Sequence, residues 1–469
     1  MEKTKLDKSK GPVRKSFNKI KRKNVEAAFS YLSVMIFLLT FGVISFFLLL
    51  WPRSQESQIE KRKLAEFPSF SVDSYFKGEF TSKIVEFYDD TVPFRDDFKT
   101  AGYNFKSLFG FHTEDEVKVV GNLKQVKKPV NNKKTTAVKT DNSGKTNKDT
   151  VTSDKNGQTD NIPETSEMGE AEYTEENGII VVKHNGHYRA LELFGGGTGN
   201  CYVEALNNYH KQLGDSVKIY SMTAPLASEY YTPSNYSGYT LSQKECFDDI
   251  AQRLDDGIKY VDIATALSYH TNEDIYFRTD HHWSPLGAYY AAEEFAQAAG
   301  VDFKDLSKYK KKTISGFVGT MYAFTEDANI NNDPEDFNYY ISDNYSSCKT
   351  EYFSTSMESW GGGEFFNGVG DPQHNAYLTF MGGDEQIVKV TTNVKNGRKL
   401  MIVKDSYGNA IPGYLFGSFE EIYVIDMRYC NVNLINMIKE NGVTDLLFAM
   451  CAFSEVGQNA ENLEVLRTQ

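Results

Sequence analysis

At 469 residues, with 14% aromatic side chains, the chain has material for two or three domains and a large core, which excludes a wholly disordered protein. Its formal net charge is −13, and the bases are bunched: ten Lys and Arg lie in residues 1–23 beside Glu2 and Asp7, leaving 41 bases against 62 acids beyond. An acidic bulk of this kind argues against a nucleic-acid partner.

The first predicted element is a membrane span. Residues 27–51, AAFSYLSVMIFLLTFGVISFFLLLW, are uncharged, and as a helix they cross a hydrocarbon core of about 30 Å. A cleaved signal peptide is the alternative, but its apolar core is shorter and WPRSQES offers no small-x-small site. Lys19, Lys21, Arg22 and Lys23 flank the N-terminal side, so the charge bias makes residues 1–24 a cytoplasmic basic tail, 25–51 the single transmembrane helix, and everything after it extracytoplasmic.

Next come Phe76, Phe80, Ile84 and Phe87, then Phe94, Phe98, Ala101, Phe105 and Leu108, at spacings of three or four. They predict two amphipathic helices in a juxtamembrane region, 52–111, packed on the domain that follows. Residues 112–172 hold no aromatic side chain and are dominated by Lys, Thr, Asn, Ser and Asp; such a segment buries too little to order itself and is expected to be a disordered linker or insertion. From residue 173 to 469 helical periods (Tyr202, Ala205, Leu206, Tyr209, Leu213) alternate with short apolar runs (VKIYSMTAP, KYVDIA, KLMIVKDS, EIYVID, DLLFAM). That alternation predicts an α/β domain with a mainly parallel sheet and helices on both faces, its ligand site beyond the carboxyl ends of the strands. Residues 309–396, rich in Gly, Asn, Asp and Tyr, read as an irregular or β-rich insertion; the glycines of WGGGEFFNGVGD lack phosphate-loop spacing. Cys201, Cys246, Cys348, Cys430 and Cys451 lie far apart with no CxxC, so zinc-finger and thioredoxin frameworks are absent, and an outside location permits up to two disulfides.

The stretch RTDHHWSP concentrates chemistry. Ser284 is a good helix N-cap, Pro285 suits the first helical position, and Gly300 ends the apolar stripe of Leu286, Tyr289, Phe295 and Ala298. Asp280 to Trp283 is therefore a loop entering a helix. Asp280 and His282, two apart in extended chain, leave the backbone on one side, so the carboxylate can hold Nδ1 and free Nε2 as a base. The partner nucleophile is sought in KLMIVKDSYGNA, where Ser406 follows the strand-like Leu400 to Val403 and Gly408 and Asn409 allow a tight turn into the helix-like AIPGYLF. A serine at such a turn faces the sheet edge, with the N–H groups of the next turn available to an oxyanion. Taken singly, an Asp-x-His beside a cap reads as a solvated loop and a serine after a strand as a turn residue; together they favour acyl chemistry. A metal centre drawn from Asp280, His281 and His282 with His270, Asp274 or His374 is the rival, but HExxH and HxH spacing are absent, and no metal or cofactor is expected.

TDHHW, the later KDSY, and EKRKLAEFP just outside the predicted membrane span together resemble the DHHW protein family, SGNH-hydrolase-like proteins related to the alginate O-acetyltransferases AlgJ and AlgX. The resemblance covers most of the chain outside 112–172. It implies a three-layer α/β/α SGNH-like fold in permuted order, Asp-x-His before Ser, with Ser406 as nucleophile, His282 as general base and Asp280 as orienting acid. Alginate relatives often carry Thr where this chain has His281, which leaves the role of that residue open. YVIDMR resembles a recurring D-x-R, making Arg428 either an oxyanion or substrate contact or a structural partner of Asp426; Tyr407 and Asn409 join it as candidate oxyanion or substrate contacts. The implied activity is acetyl transfer to hydroxyls of a cell-envelope or exported polysaccharide through an acetyl-serine, the donor supplied across the membrane by a multispanning acyltransferase of the MBOAT class. A carbohydrate esterase with the same triad, or a non-catalytic glycan-binding envelope protein, are the alternatives.

Overall fold

A computed structural model describes residues 31–43, 45–46, 51–57, 62–95, 98, 117–121, 123–126, 176–384 and 387–469. The chain divides into two compact units, Met1–Phe109 and Gly110–Gln469.

In the first unit residues 31–43 are helical, with Tyr31, Phe37 and Leu39 exposed. Among the described residues no helix is long and apolar enough to cross a membrane; the remainder of the expected span lies outside them. Beyond it, helices Val72–Phe76 and Glu79–Asp90 meet the phenylalanine spacing of the sequence, and Phe67 and Phe70 pack edge-on against Phe87 and Phe80. The second expected amphipathic helix falls largely outside the described residues.

The second unit is organised by an eight-stranded sheet. Numbering only its strands, these are β1 Lys218–Ala224, β2 Ile258–Tyr260, β3 Lys349–Phe353, β4 Ser359–Gly363, β5 Ile387–Thr391, β6 Lys399–Lys404, β7 Glu421–Asp426 and β8 Asp445–Cys451, in spatial order β4-β3-β5-β7-β6-β8-β1-β2. β7, β6, β8, β1 and β2 run parallel, while β5, β3 and β4 add an antiparallel edge. β8 is buried along its whole length and β6 from Leu400 onward, as their unbroken apolar runs require of strands covered on both faces.

Register identifies the layers. Phe448 pairs with Ser221 and Leu447 with Tyr220, so Phe448 and Ser221 share one face and Tyr220 lies on the other. Helix α1, Asn200–Leu213, packs Tyr209 on Phe448 and bonds Tyr202 to Ser221, whereas helix α2, Pro285–Ala299, packs Phe295 on Tyr220. Helices therefore cover both faces, and the expected mainly parallel α/β architecture holds. The α2 boundaries are those its caps dictate: Ser284 Oγ accepts from the Leu286 and Gly287 amides, and Gly300 closes the helix at φ 66°.

Three differences from expectation have physical causes. Residues 309–396 are more than an insertion, because β3, β4 and β5 complete the main sheet, beside a separate hairpin of Tyr309–Phe317 with Glu335–Ser342. Inside the polar stretch 112–172, Lys118–Val120 is a strand, its β-branched residues paired with Ile179–Val181 of an apolar neighbour; residues 127–172 lie outside those described. AIPGYLF forms no regular helix: Ser406–Ala410 and Pro412–Tyr414 are 3₁₀ turns. All five cysteines are free thiols.

Candidate active site

The loop carrying Asp280 is a closed turn. Tyr276 and Trp283 form an antiparallel bridge, the Ser284 amide donates to Ile275 O at 2.9 Å, and Glu335 Oε1 accepts from the amides of Arg278 and Thr279 at 2.8 and 2.7 Å. Two glycines make room for it. A Cβ on Gly287 would lie 2.4 Å from Ile275 O, and one on Gly319 would lie 2.2 Å from Asp280 Oδ2, a separation no side chain tolerates. Gly319 thereby brings Thr320 against Asp280, whose Oδ2 accepts from the Thr320 amide at 2.9 Å and its hydroxyl at 3.1 Å.

Ser406 arrives from the other side. It is the first residue of the turn leaving β6, at the carboxyl ends of the parallel strands, where ligand sites of such sheets form. Asp405 fixes that turn, its Oδ1 accepting from the Tyr407 amide at 3.0 Å and its Oδ2 from the Cys451 amide at 2.9 Å, which ties the ends of β6 and β8. The Trp283 indole N–H donates to Tyr407 O at 2.9 Å, joining the loop to the serine turn.

The sequence-predicted trio comes together. His282 Nδ1 lies 2.6 Å from Asp280 Oδ1 and Nε2 lies 2.8 Å from Ser406 Oγ, across 124 residues of chain. Burial opposes a charge on Asp280, but His282, its hydrogen bonds and the Thr320 donors outweigh it and hold the carboxyl well below the ordinary range. An ionised carboxylate only accepts, so the proton of neutral His282 sits on Nδ1 and Nε2 takes the hydrogen bond from Ser406. Tyr377 stacks on the ring at 4.0 Å and 6°, and the His281 ring lies 3.7 Å from it, tilted by 37°. Chemically the arrangement can remove a proton from the Ser406 hydroxyl and return it to a leaving or incoming oxygen.

The three subsidiary candidates are placed differently. The Tyr407 amide is engaged by Asp405 and its hydroxyl donates to His281 O, while the Gly408 amide donates to Asp405 O at 3.0 Å. The expectation that N–H groups of the turn after Ser406 face an oxyanion is thus corrected, because a tight turn consumes its own donors; the Ser406 amide itself has no partner among the described residues. Asn409 is buried and donates from Nδ2 to Asp384 Oδ1 at 2.6 Å, its Oδ1 unpartnered among the described residues. Arg428 pairs with Asp426, bonding its Oδ1 and Oδ2 at 2.9 and 2.7 Å, and reaches Asp384 at 3.0 Å. Burial alone would lower the Arg428 pKa, but these two carboxylates raise it instead. Lys404 Nζ completes the set, 2.7 Å from Asp426 Oδ2 and 3.6 Å from Asp384 Oδ1.

For a metal, Asp280, His281 and His282 offer ligand atoms within 4.8 Å of one another. Both His282 nitrogens, however, already bond Asp280 and Ser406, and His281 Nδ1 bonds Thr320. His270 instead bonds Glu273 at 2.7 Å, and His374 bonds Asp371 at 3.0 Å.

Sequence reading missed Thr320, Tyr377, Lys404 and Asp384. Trp283 carried one usable signal: a buried indole needs a partner for its N–H.

Fold and site define an α/β protein with a Ser–His–Asp cluster at the carboxyl ends of a mainly parallel sheet. The chain belongs to the DHHW protein family, whose model matches residues 60–425. Among solved structures it is similar to a DHHW family protein of Eubacterium siraeum, at 46% identity over 63% of this chain and 97% of that one, TM-score 0.59. It is also similar to Bacillus cereus PatB1, solved with a sulfonyl adduct, at 17% identity over 60% and 98% of the two chains, TM-score 0.51, a likeness of fold. The O-acetyltransferase domain of Pseudomonas putida AlgJ matches at 13% identity over 57% and 89%, TM-score 0.33. No curated protein matches the chain.

Proposed function

We propose that this chain is a membrane-anchored, outward-facing O-acetyltransferase of SGNH-hydrolase-like type, acting on hydroxyls of a cell-envelope or exported polysaccharide through an acetyl-Ser406 intermediate. The observation that carries the reading is the unbroken line from Asp280 through His282 to Ser406, with links of 2.6 and 2.8 Å. Membership of the DHHW family and the family's resemblance to alginate O-acetyltransferases supply the acyl group.

In the first half-reaction Ser406 Oγ attacks the carbonyl carbon of an acetyl ester while His282 Nε2 takes its proton. Collapse breaks the ester C–O bond, and the leaving oxygen departs with that proton. In the second, a sugar hydroxyl gives its proton to Nε2 and attacks acetyl-Ser406; the C–Oγ bond breaks and Ser406 is reprotonated. Asp280 faces the imidazolium formed in each step. Exposed Phe324, its ring centroid 5.7 Å from that of His281, suits the apolar face of a sugar ring. An outside location requires donors that reach the enzyme at the membrane, which supports an MBOAT-class partner, and the uncharged 27–51 stretch supports the anchor.

The test is to offer full-length protein p-nitrophenyl acetate and an oligosaccharide, and to read the Ser406 peptide by mass spectrometry. An acetylated serine peptide together with acetylated sugar is expected, and neither in Ser406→Ala. Free acetate as the sole product would mean an esterase. Labelling by a sulfonyl fluoride that survives Ser406→Ala would move the nucleophile elsewhere.

A further inference from the structure

Of the four ring nitrogens in His281 and His282, three have partners: His282 Nδ1 with Asp280, His282 Nε2 with Ser406, and His281 Nδ1 with Thr320 Oγ1. His281 Nε2 has none among the described residues. The protonation of His281 follows from the donors around it. Ionised Asp280 can only accept, and Thr320 Oγ1 lies 3.1 Å from Asp280 Oδ2, so the threonine proton points to the carboxylate. The threonine oxygen must then accept from His281 Nδ1–H, which leaves a lone pair on Nε2. Burial, and next the like charge His282 gains when protonated, push the His281 pKa down to about 3. The ring thus stays neutral and accepting while His282 cycles. Its side chain is 22% exposed against 7% for His282, and Phe324 stands 5.7 Å from it at the surface.

We propose that His281 Nε2 accepts a hydrogen bond from a second hydroxyl of the receiving sugar, beside the one being acylated, so that the site selects vicinal diols over isolated alcohols and water. This deepens the acyl-transfer reading and rests on it. The hydroxyl under attack must give its proton to His282 Nε2, so it cannot also satisfy His281. A neighbouring hydroxyl on the same ring can, the centroids of the two imidazoles being only 3.7 Å apart. A substrate lacking that hydroxyl leaves Nε2 desolvated and unpaired, the arrangement by which polar sites reject analogues. His281 is a specificity residue here, touching the receiving sugar rather than the acetyl group.

The experiment separates the two half-reactions in full-length protein. Acetyl-Ser406 formation from p-nitrophenyl acetate is timed first; transfer is then measured to a methyl glycoside with a free vicinal diol and to its mono-O-methyl counterpart. Wild-type protein should prefer the diol by about tenfold in kcat/KM, the size of one well-placed hydrogen bond. In His281→Phe, which keeps a ring against His282, KM for the diol should rise by about tenfold beyond any fall in acylation, and the preference should vanish. His281→Gln, which restores an accepting atom, should recover most of it. Equal rates for the two glycosides in wild type, a diol preference that persists in His281→Phe, or acylation and transfer falling in equal proportion would each overturn the assignment while acetyl-Ser406 still forms. Failure of wild-type protein to form acetyl-Ser406 would overturn the acyl-transfer reading and this proposal with it.

Discussion

Two sets of buried charge flank Ser406, and they differ in what they leave over. Beneath the serine turn stands Lys404, which with Arg428, Asp426 and Asp384 forms two cations facing two carboxylates, each cation within 4 Å of both. The other set, Asp280 with His282 and His281, carries one fixed negative charge, one nitrogen committed to Ser406 and one nitrogen without a partner among the described residues. A matched set fixes geometry and field, and protons have nowhere to go in it. The unmatched set is where protons can move. The sharpest way to break the contrast is Asp280→Asn, which removes the acceptor that dictates the His282 tautomer. Formation of acetyl-Ser406 should fall by roughly 10⁴-fold with the fold retained. A fall of less than about tenfold would mean that something else orients the ring.

Lys404→Met tests the matched set. Lys404 and Asp426 are 1% and 2% exposed, so removing the ammonium leaves a buried carboxylate with Arg428 as its remaining partner. Losing one member of such a pair costs about 3–5 kcal/mol, read as a lowered urea midpoint at unchanged slope. A variant of undiminished stability but slow acylation would instead place Lys404 among the groups that act on the reacting atoms.

The two sets were unequally legible in the sequence. Asp280, His282 and Ser406 declared themselves by parity and by position: two residues apart in extended chain, and just past an apolar strand. Ser284, Pro285 and Gly300 marked their helix for equally local reasons. Asp384 and Tyr377 sit in a Gly- and Tyr-rich segment without helical or strand period, and Thr320 follows a glycine whose necessity is visible only once Asp280 lies against it. The strands β3 to β5 were legible only as a β-rich segment and not as part of the main sheet, because an antiparallel edge needs no continuous apolar run, and β4 reads SWGGG. Lys404 was hidden by its own chemistry, since a lysine ending a strand is expected in water unless its partners, here Asp384 and Asp426, are known.

A third carboxyl sharpens the comparison at its mildest. Glu455 is as buried as Asp280, yet among the described residues it has one donor, Thr223 at 2.7 Å, and its Oε2 has no partner. Burial therefore wins and raises its pKa to about 8, the opposite direction to Asp280. The folded protein holds a proton there that the unfolded chain releases near its ordinary value of 4.5. Between those two values the native state binds more protons, so stability falls as pH rises. The loss amounts to about 3 kcal/mol from pH 5 to pH 8, and it levels off once the folded group ionises as well. Glu455→Gln keeps the shape and the Thr223 contact but has no proton to lose, so its melting temperature should stay flatter over that window and exceed that of the parent at pH 8. Parallel melting curves for the two proteins across the window would mean that Glu455 is solvated in solution, and that its contrast with Asp280 is one of position rather than of protonation.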